Sequence, residues 1–278
     1  GRRAHDLWAH AGGPEHRGAG RLLRYANGDG HVLSQQRPLL ERGVVPIVTG
    51  FIGATADGII TTLGRGGSDY TAAILGHCLD CDEIWLWTDV NGVMTADPRI
   101  VPEAHTLPRI SYREAAELSY FGAKVLHSKA MLPAMKKNIP LRILNSFEPE
   151  HPGTLVTSEE SRAQAVKAIT AISGLSLVMV EGRGMVDVPG IAAKVFTTIA
   201  QAGINVLMIS QSSSEQNICF IVQEADMARS TTALERAFEL ERSRGDVERI
   251  AARNSVAIVA AVGAAVREAP GIGARIFS

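Results

Sequence analysis

Apolar residues fall into short β-branched runs and longer stripes at helical spacing, and their order predicts an α/β chain. "VVPIVTGFI" and "GIITTLG" are two such runs, separated by the turn dipeptide Asp57–Gly58, and read as strands. "EIWLWTDV" reads as a third, with the near-continuous apolar residues of a strand covered on both faces. Between them Tyr70, Ala73, Ile74, His77 and Cys78 recur at helical spacing, which predicts a helix capped by Ser68 or Asp69. Leu118, Phe121, Val125 and Leu126 give a second helical stripe through "YREAAELSYFGAKVLH", after which "IPLRILNS" returns as a strand. Strands alternating with helices predict a layered α/β domain over 37–157. Residues 1–36, with "HAGGPEHRGAGR", show no sustained apolar period and receive no assignment.

The pattern changes after "SFEPEHPGTLVTSEESRAQ", whose Pro, Gly, Ser and charge predict a boundary near Ser158 and a linker over 158–166. "LSLVMVEG", "PGIAAKVFTTIAQAG", "INVLMIS", "NICFIVQE" and "TTALERAFELERS" then read strand, helix, strand, strand, helix, a small α+β module over 167–254. "APGIGARIFS" (Ala269–Ser278) repeats "VPGIAAKVFT" (Val188–Thr197), so 255–278 reads as the start of a second copy of that module. The copy stops inside its first helix, and the chain opens at Gly1 without Met, so both ends are expected to be cut.

Composition narrows the ligand class. Of 278 residues, 28 are basic and 29 acidic, a net charge of −1, which gives no field toward nucleic acid or an anionic membrane. The longest apolar run, "SVAIVAAVGAAV", is shorter than the roughly 20 residues that cross a bilayer. Three cysteines build no disulfide framework and fit a reducing, cytoplasmic setting. Small-molecule partners are expected, with no nucleic acid and no membrane.

In "LGRGGSDYT", Gly66 and Gly67 let the backbone approach a ligand ahead of a helix N-terminus that favours anions. Arg65 adds a fork for a carboxylate or phosphate, and Asp69 a partner for an ammonium group, the two charges of an amino acid. A capped strand-to-helix turn would use the same residues. "WTDVNGVMTADPR" sets Thr88 and Asp89 at the carboxyl end of a buried strand, where open α/β sheets bind ligands. Asp89, Asp97 and Arg99 would orient a nucleotide and its magnesium, or simply form Asx turns. Lys124 in "FGAKVLH" would stabilise phosphate charge, or lie on the surface. Cys78 and Cys81 form a lone CxxC expected to be buried on the helical stripe, and no metal site of protein ligands is proposed. In the second module Asp187, Asn205 and Gln211 would grip the amino and carboxylate groups of a small effector, or form ordinary turns.

Taken in order, "VPIVTGFIGAT", "TTLGRGGSDYTAA", "WTDVNGVMTADPR", "ELSYFGAKVLH" and "PGTLV" resemble the aspartate kinases of the amino acid kinase superfamily. The repeated "PGIAAKVF" and the run "SQSSSE" resemble that family's paired ACT regulatory modules, of ferredoxin-like βαββαβ fold. The resemblance covers Arg37–Ser278. It implies that 37–157 is the C-terminal, nucleotide-binding half of a kinase domain that phosphorylates the β-carboxylate of L-aspartate with MgATP. Arg65 would bind the substrate α-carboxylate, with Gly66, Gly67 and Ser68 lining that site, and Asp69 would organise substrate or phosphate-contacting lysines. Thr88, Asp89, Met94, Thr95, Ala96, Asp97, Pro98, Arg99 and Lys124 would form the ATP site, with Mg2+ held mainly through the ATP phosphates. Asp187, Val188, Pro189, Gly190, Ile191, Ala192, Asn205, Val206, Leu207 and Gln211 would bind threonine or lysine, and the ACT modules would pair chains into a homodimer or larger assembly. The sequence departs from the pattern in lacking the family's "KFGGTS" lysine and upstream glutamate, and in Met94, "HSK" at His127–Lys129 and Leu144.

Overall fold

The apolar runs Ile84–Thr88 (β3) and Leu141–Asn145 (β5) pair in the first sheet, where the two strands run parallel from Ile84 opposite Leu141 to Thr88 opposite Asn145. The computed structural model describes residues 36–278 except 56–58, 124, 162–163, 186–187, 212–215, 267 and 278. Thr154–Thr157 (β6) pairs antiparallel with β5 and parallel with Arg109–Ser111 (β4), giving the order β3-β5-β6-β4. Ile52–Ala54 (β1) and Ile60–Thr62 (β2) form a separate antiparallel pair, so "VVPIVTGFI" is strand only at its end. Helices Gly67–Leu79 (α1), Tyr112–Tyr120 (α2) and Ser128–Lys137 (α3) belong to the same unit, which spans 1–170 and 260–278. Its core joins Ile84, Leu86, Ile110, Leu118, Met131, Leu141, Ile143 and Val156.

Two expected helix ends move. The stripe through "YREAAELSYFGAKVLH" stops being helical at Tyr120, because Gly122 takes a left-handed φ of 106; Leu126 reaches the same core from outside the helix. Helix α1 ends at Leu79 with Asp80 left-handed, so Cys81 lies beyond the helix rather than on its stripe. Burial pushes the Cys81 thiol up to about 11, the reverse of what a reactive thiolate needs, and Cys78 is a core residue.

The second unit, 171–259, has its own core of Val178, Val180, Val195, Ile199, Phe220, Leu234 and Phe238. Its sheet has the order β10-β7-β9-β8, built from Ala168–Glu181 (β7), Met208–Gln211 (β8), Asn217–Gln223 (β9) and Arg249–Val262 (β10). Strand β9 is antiparallel to both β7 and β8. Ile191–Gln201 (α4) and Met227–Ala237 (α5) pack on each other, followed by the short Glu239–Arg244 (α6). The first five elements, βαββα, follow the apolar pattern, and β10 completes the βαββαβ order that the resemblance implies. Ile272–Phe277 (α7) closes the described chain. No helix of the described residues is long and apolar enough to cross a membrane.

Candidate functional site

The turn from β2 to α1 is built by two glycines. Gly66 is the N-cap of α1 in the left-handed region, φ 70, and no side chain caps the helix; Ser68 and Asp69, expected as caps, sit inside its first turn. A Cβ on Gly66 would lie 2.6 Å from the Cβ of His127, and one on Gly67 would lie 2.8 Å from Cδ2 of Phe51. The turn therefore rests directly against the start of α3 on one side and Phe51 on the other. Thr71 fixes the latter contact: its hydroxyl accepts the Phe51 N–H at 3.1 Å and donates to the Gly67 carbonyl at 2.8 Å. Phe51 itself has φ 72, a conformation costly for a bulky residue.

Arg65 is exposed beside this turn, and Ser68 is buried in it. Burial pushes the half-buried Asp69 carboxyl up from its ordinary value. His127 caps α3, its Nδ1 accepting the Lys129 N–H at 3.3 Å, which leaves the ring proton on Nε2. Burial lowers the His127 pKa, and the charges of Lys129 and Arg65 lower it further. Arg65, Gly66 and His127 thus form one cluster from two distant sequence motifs, with a fork for a carboxylate at its exposed end.

The second cluster lies at the carboxyl ends of β3 and β5. The Thr88 hydroxyl donates to Asp89 Oδ1 at 3.1 Å, and the Ser146 N–H donates to the Thr88 carbonyl at 2.8 Å. Buried Asn145 organises the loops: its Nδ2 donates to Asn91 Oδ1 at 2.7 Å and its Oδ1 accepts the Phe147 N–H at 2.9 Å. Asn91 in turn donates to Glu148 at 3.0 Å. Sequence reading missed Asn91 and Asn145, since their partners lie across parallel strands. The stretch from Met94 is tied down by a bridge to Thr106 and by reciprocal bonds between Thr95 and His105. Beyond Ala96, Asp97 and Arg99 pair with each other, Nε to Oδ1 at 3.0 Å and an Nη to Oδ2 at 2.7 Å, and that guanidinium holds the Asp97 carboxyl down to about 2. Pro98 between them is exposed. Lys124 and Asp187 lie outside the described residues.

In the second unit Gly190, φ 94, is the N-cap of α4, again with no side-chain cap. Ile191 is in the core, and Ala192 and Val206 pack against it, so backbone amides are what these positions would offer a ligand. Val188, Pro189 and Asn205 are exposed, the Leu207 N–H donates to the Ile221 carbonyl at 2.8 Å, and Gln211 ends the exposed strand β8.

Residues 23–145 match the Amino acid kinase family, and residues 178–238 match the ACT domain. The chain thus carries an amino acid kinase segment and an ACT domain, and the relatives it matches are aspartokinases. It is 42% identical over 236 residues to bifunctional aspartokinase/homoserine dehydrogenase 2, chloroplastic, of Zea mays, covering 83% of this chain and 26% of that protein. Crystal structures of E. coli aspartokinase III resemble it at a TM-score of 0.70. The complex with lysine and aspartate is 35% identical and the complex with aspartate and ADP 33%, each covering 91% of this chain and 56% of that one. The chain thus spans about a quarter of the Zea mays protein and about half of the E. coli kinase.

Proposed function

We propose that the protein containing this chain transfers the γ-phosphoryl of MgATP to the β-carboxylate of L-aspartate, giving 4-phospho-L-aspartate for lysine, threonine and methionine synthesis. A carboxylate with an ordinary pKa of about 3.9 is already ionised at neutral pH, so the nucleophile needs no base. One carboxylate oxygen forms the new O–P bond as the bond to the β-phosphate oxygen breaks and ADP leaves. Catalysis then rests on placing two anions together and spreading the charge. Arg65 holds the aspartate α-carboxylate above the Gly66–Gly67 turn, and Asp69 orders the cationic side. Thr88, Asp89, the Met94–Arg99 stretch and Lys124 hold the nucleotide, and Asp89 at the end of β3 would offer a hard oxygen donor to the magnesium carried mainly by its phosphates.

The observation that carries this reading is the packing of the arginine–glycine turn on His127, which unites the "GRGGSD" and "AKVLH" motifs in one place. The E. coli kinase binds aspartate, ADP and lysine, which supports the same ligand classes here. The ACT module at 167–254 senses threonine or lysine, and 255–278 begins a second such module: α7 follows Pro270–Gly271 as α4 follows Pro189–Gly190, with both glycines at positive φ. Pairing through these modules gives a homodimer or larger assembly. Cysteines that form no disulfide among the described residues fit a cytoplasmic setting.

The "KFGGTS" lysine is not among these residues, so binding rather than turnover is the test. Calorimetry should show L-aspartate and MgADP binding to the chain, with Arg65→Ala weakening aspartate about tenfold or more and leaving MgADP unchanged. Aspartate binding indifferent to Arg65→Ala would sink the substrate assignment. Threonine or lysine binding without MgADP binding would instead favour a chain that only senses an amino acid, a reading suggested by the departures at Met94 and Leu144.

A further inference from the structure

The loops that leave β3 and β5 are tied together by a closed ring of hydrogen bonds. Asn145, the last residue of β5, is 5% exposed. Its Nδ2 donates to Asn91 Oδ1 at 2.7 Å, Asn91 Nδ2 donates to Glu148 Oε2 at 3.0 Å, and the Glu148 N–H returns to the Asn145 carbonyl at 3.3 Å. Asn145 Oδ1 also accepts the Phe147 N–H at 2.9 Å, so both ends of the buried amide are paired. Just beyond Asn91 the chain is pinned to β6. The Val93 N–H donates to Thr154 Oγ1 at 2.9 Å, and Gly92, φ 102, lies so close that a Cβ there would collide with the same hydroxyl. Asp89, ahead of these ties, is exposed and accepts the hydroxyl of its neighbour Thr88. All of these residues belong to the first unit.

We infer that Asn145 is a positioning residue of the nucleotide site: through Asn91 it sets the spacing of the loops after β3 and β5, and so the place at which Thr88 and Asp89 meet the nucleotide. The inference rests on the nucleotide assignment proposed above. A turn needs no buried asparagine, because Asn and Asp side chains usually close turns on their own backbone. Asn145 uses one end of its amide in that way, on Phe147, and the other on a residue 54 positions away. Burying an amide is costly unless both ends are paired, so the loop after β3 cannot drift without stranding a donor. Glu148 fixes the sense of the pairing. If Asn91 turned its amide over, its oxygen would face the Glu148 carboxylate and its NH2 group the NH2 of Asn145, and both contacts would repel. The ring therefore has one arrangement, and hydrogen bonds linked in series reinforce one another. Thr88 lies opposite Asn145 in the parallel ladder, and Asp89 stands between that pair and Asn91. A carboxylate serves a phosphate-bound cation only over a narrow range of distance, so the group that presents it must be held by neighbours that do not themselves touch the ligand.

The decisive variant is Asn145→Asp, which keeps the shape of the side chain and makes the ring depend on a proton. Ionised, the new carboxylate would set an oxygen against Asn91 Oδ1 and open the ring; protonated, its O–H would donate there as the amide did. Burial and the acids of the two loops, Asp89, Glu148 and Glu150, favour the protonated form, and His151 opposes it when charged. By calorimetry, with variant and parent compared at the same pH, Asn145→Asp should weaken MgADP about tenfold at about pH 8.5 and stay within about twofold of the parent at about pH 5.5. Asn145→Leu, which has no proton to recover, should weaken MgADP about tenfold or more at both. L-Aspartate binding, which rests on Arg65, should match the parent's in both variants. A general structural role would weaken both ligands alike and without regard to pH, and that outcome would overturn the inference. So would MgADP binding by Asn145→Asp equal to the parent's at the higher pH. A parent chain that binds no MgADP at all would remove the nucleotide assignment, and this inference with it.

Discussion

At position 67 a single methyl group decides whether the turn after β2 can keep its shape. An alanine Cβ there would meet Phe51 Cδ2 at 2.8 Å, Leu63 Cβ at 3.1 Å and the Phe51 Cα at 3.3 Å, and Phe51 is pinned by Thr71. Gly67→Ala should therefore cost about 1–3 kcal/mol, as other overpacked sites do, read as a fall in melting temperature, and should weaken aspartate binding as the turn shifts. Gly190→Ala is the contrasting case. Its Cβ would meet nothing within 4 Å, so only the left-handed φ of 94 is penalised, roughly 1–2 kcal/mol. Equal losses at the two positions would mean that contact with Phe51 does not constrain the turn. His127 supplies a charge-sensitive readout of the same turn. Its pKa is lowered, so the folded state favours neutral imidazole: that contribution to stability is complete above the unfolded value near 6.5 and is lost as pH falls through the lower folded value. Protonation also removes the Nδ1 lone pair that accepts the Lys129 N–H. An NMR titration should place His127 below 6.5, and Arg65→Ala should move it upward; no movement would mean that Arg65 does not face the ring.

At the scale of elements, α2 shows how a local signal serves a distant purpose. Ser111 and Glu114 form a complete capping box: the Ser111 N–H donates to Glu114 Oε2 at 2.8 Å and the Glu114 N–H to Ser111 Oγ at 3.2 Å. Burial alone would raise the Glu114 carboxyl, but the bonds from Lys167 and Ser111 and the Lys167 charge together bring it below its ordinary value. A depressed carboxyl gives stability that is complete above the unfolded pKa, about 4.3, and is lost as pH falls through the folded one. Lys167→Met should cost about 3–5 kcal/mol by leaving the charge buried and unpaired, and should reverse the slope, so that stability falls as pH rises through the now elevated Glu114 pKa. Urea melts of the variant at several pH values check the sign; an unchanged slope would show that Ser111 and the Ala264 N–H, which donates to Glu114 at 3.0 Å, hold the carboxylate without Lys167. Such long-range partnerships mark the limit of what periodicity reveals. Helices α1, α4 and α5 and strands β3, β5 and β9 are legible because each carries its own apolar pattern. Strands β4 and β6 are three and four residues long and take their regularity from each other, and the alternating exposed residues of Ala168–Gly174 hide the first half of β7. At the site, Arg65–Gly67 is legible because turn chemistry is local. Thr71 and Asn145 are not, because what makes each of them matter is a partner 20 or 54 residues away, the Phe51 N–H for Thr71 and the Asn91 side chain for Asn145.

For the whole molecule, the open question of assembly turns on β8. It is the edge of the second sheet, and all four of its residues are exposed, with Met208 at 43% and Ile209 at 55%. An edge strand carrying large apolar side chains is a template for another strand, and proteins that keep such an edge free usually blunt it with charge or proline. Met208–Gln211 has neither. Two copies meeting along β8 would join their sheets into one and cover Ile209. Gln211, at the end of this strand, also belongs to the stretch assigned to the effector, so effector binding and association should favour each other by mass action. Sedimentation of the parent chain at tens of micromolar should show a dimer that threonine or lysine strengthens. Ile209→Lys places a charge on the shared edge and should shift the species to monomer without loss of melting temperature, since the side chain is not in the core. A monomeric parent, or an Ile209→Lys dimer of undiminished affinity, would move the interface off this strand and separate effector binding from assembly.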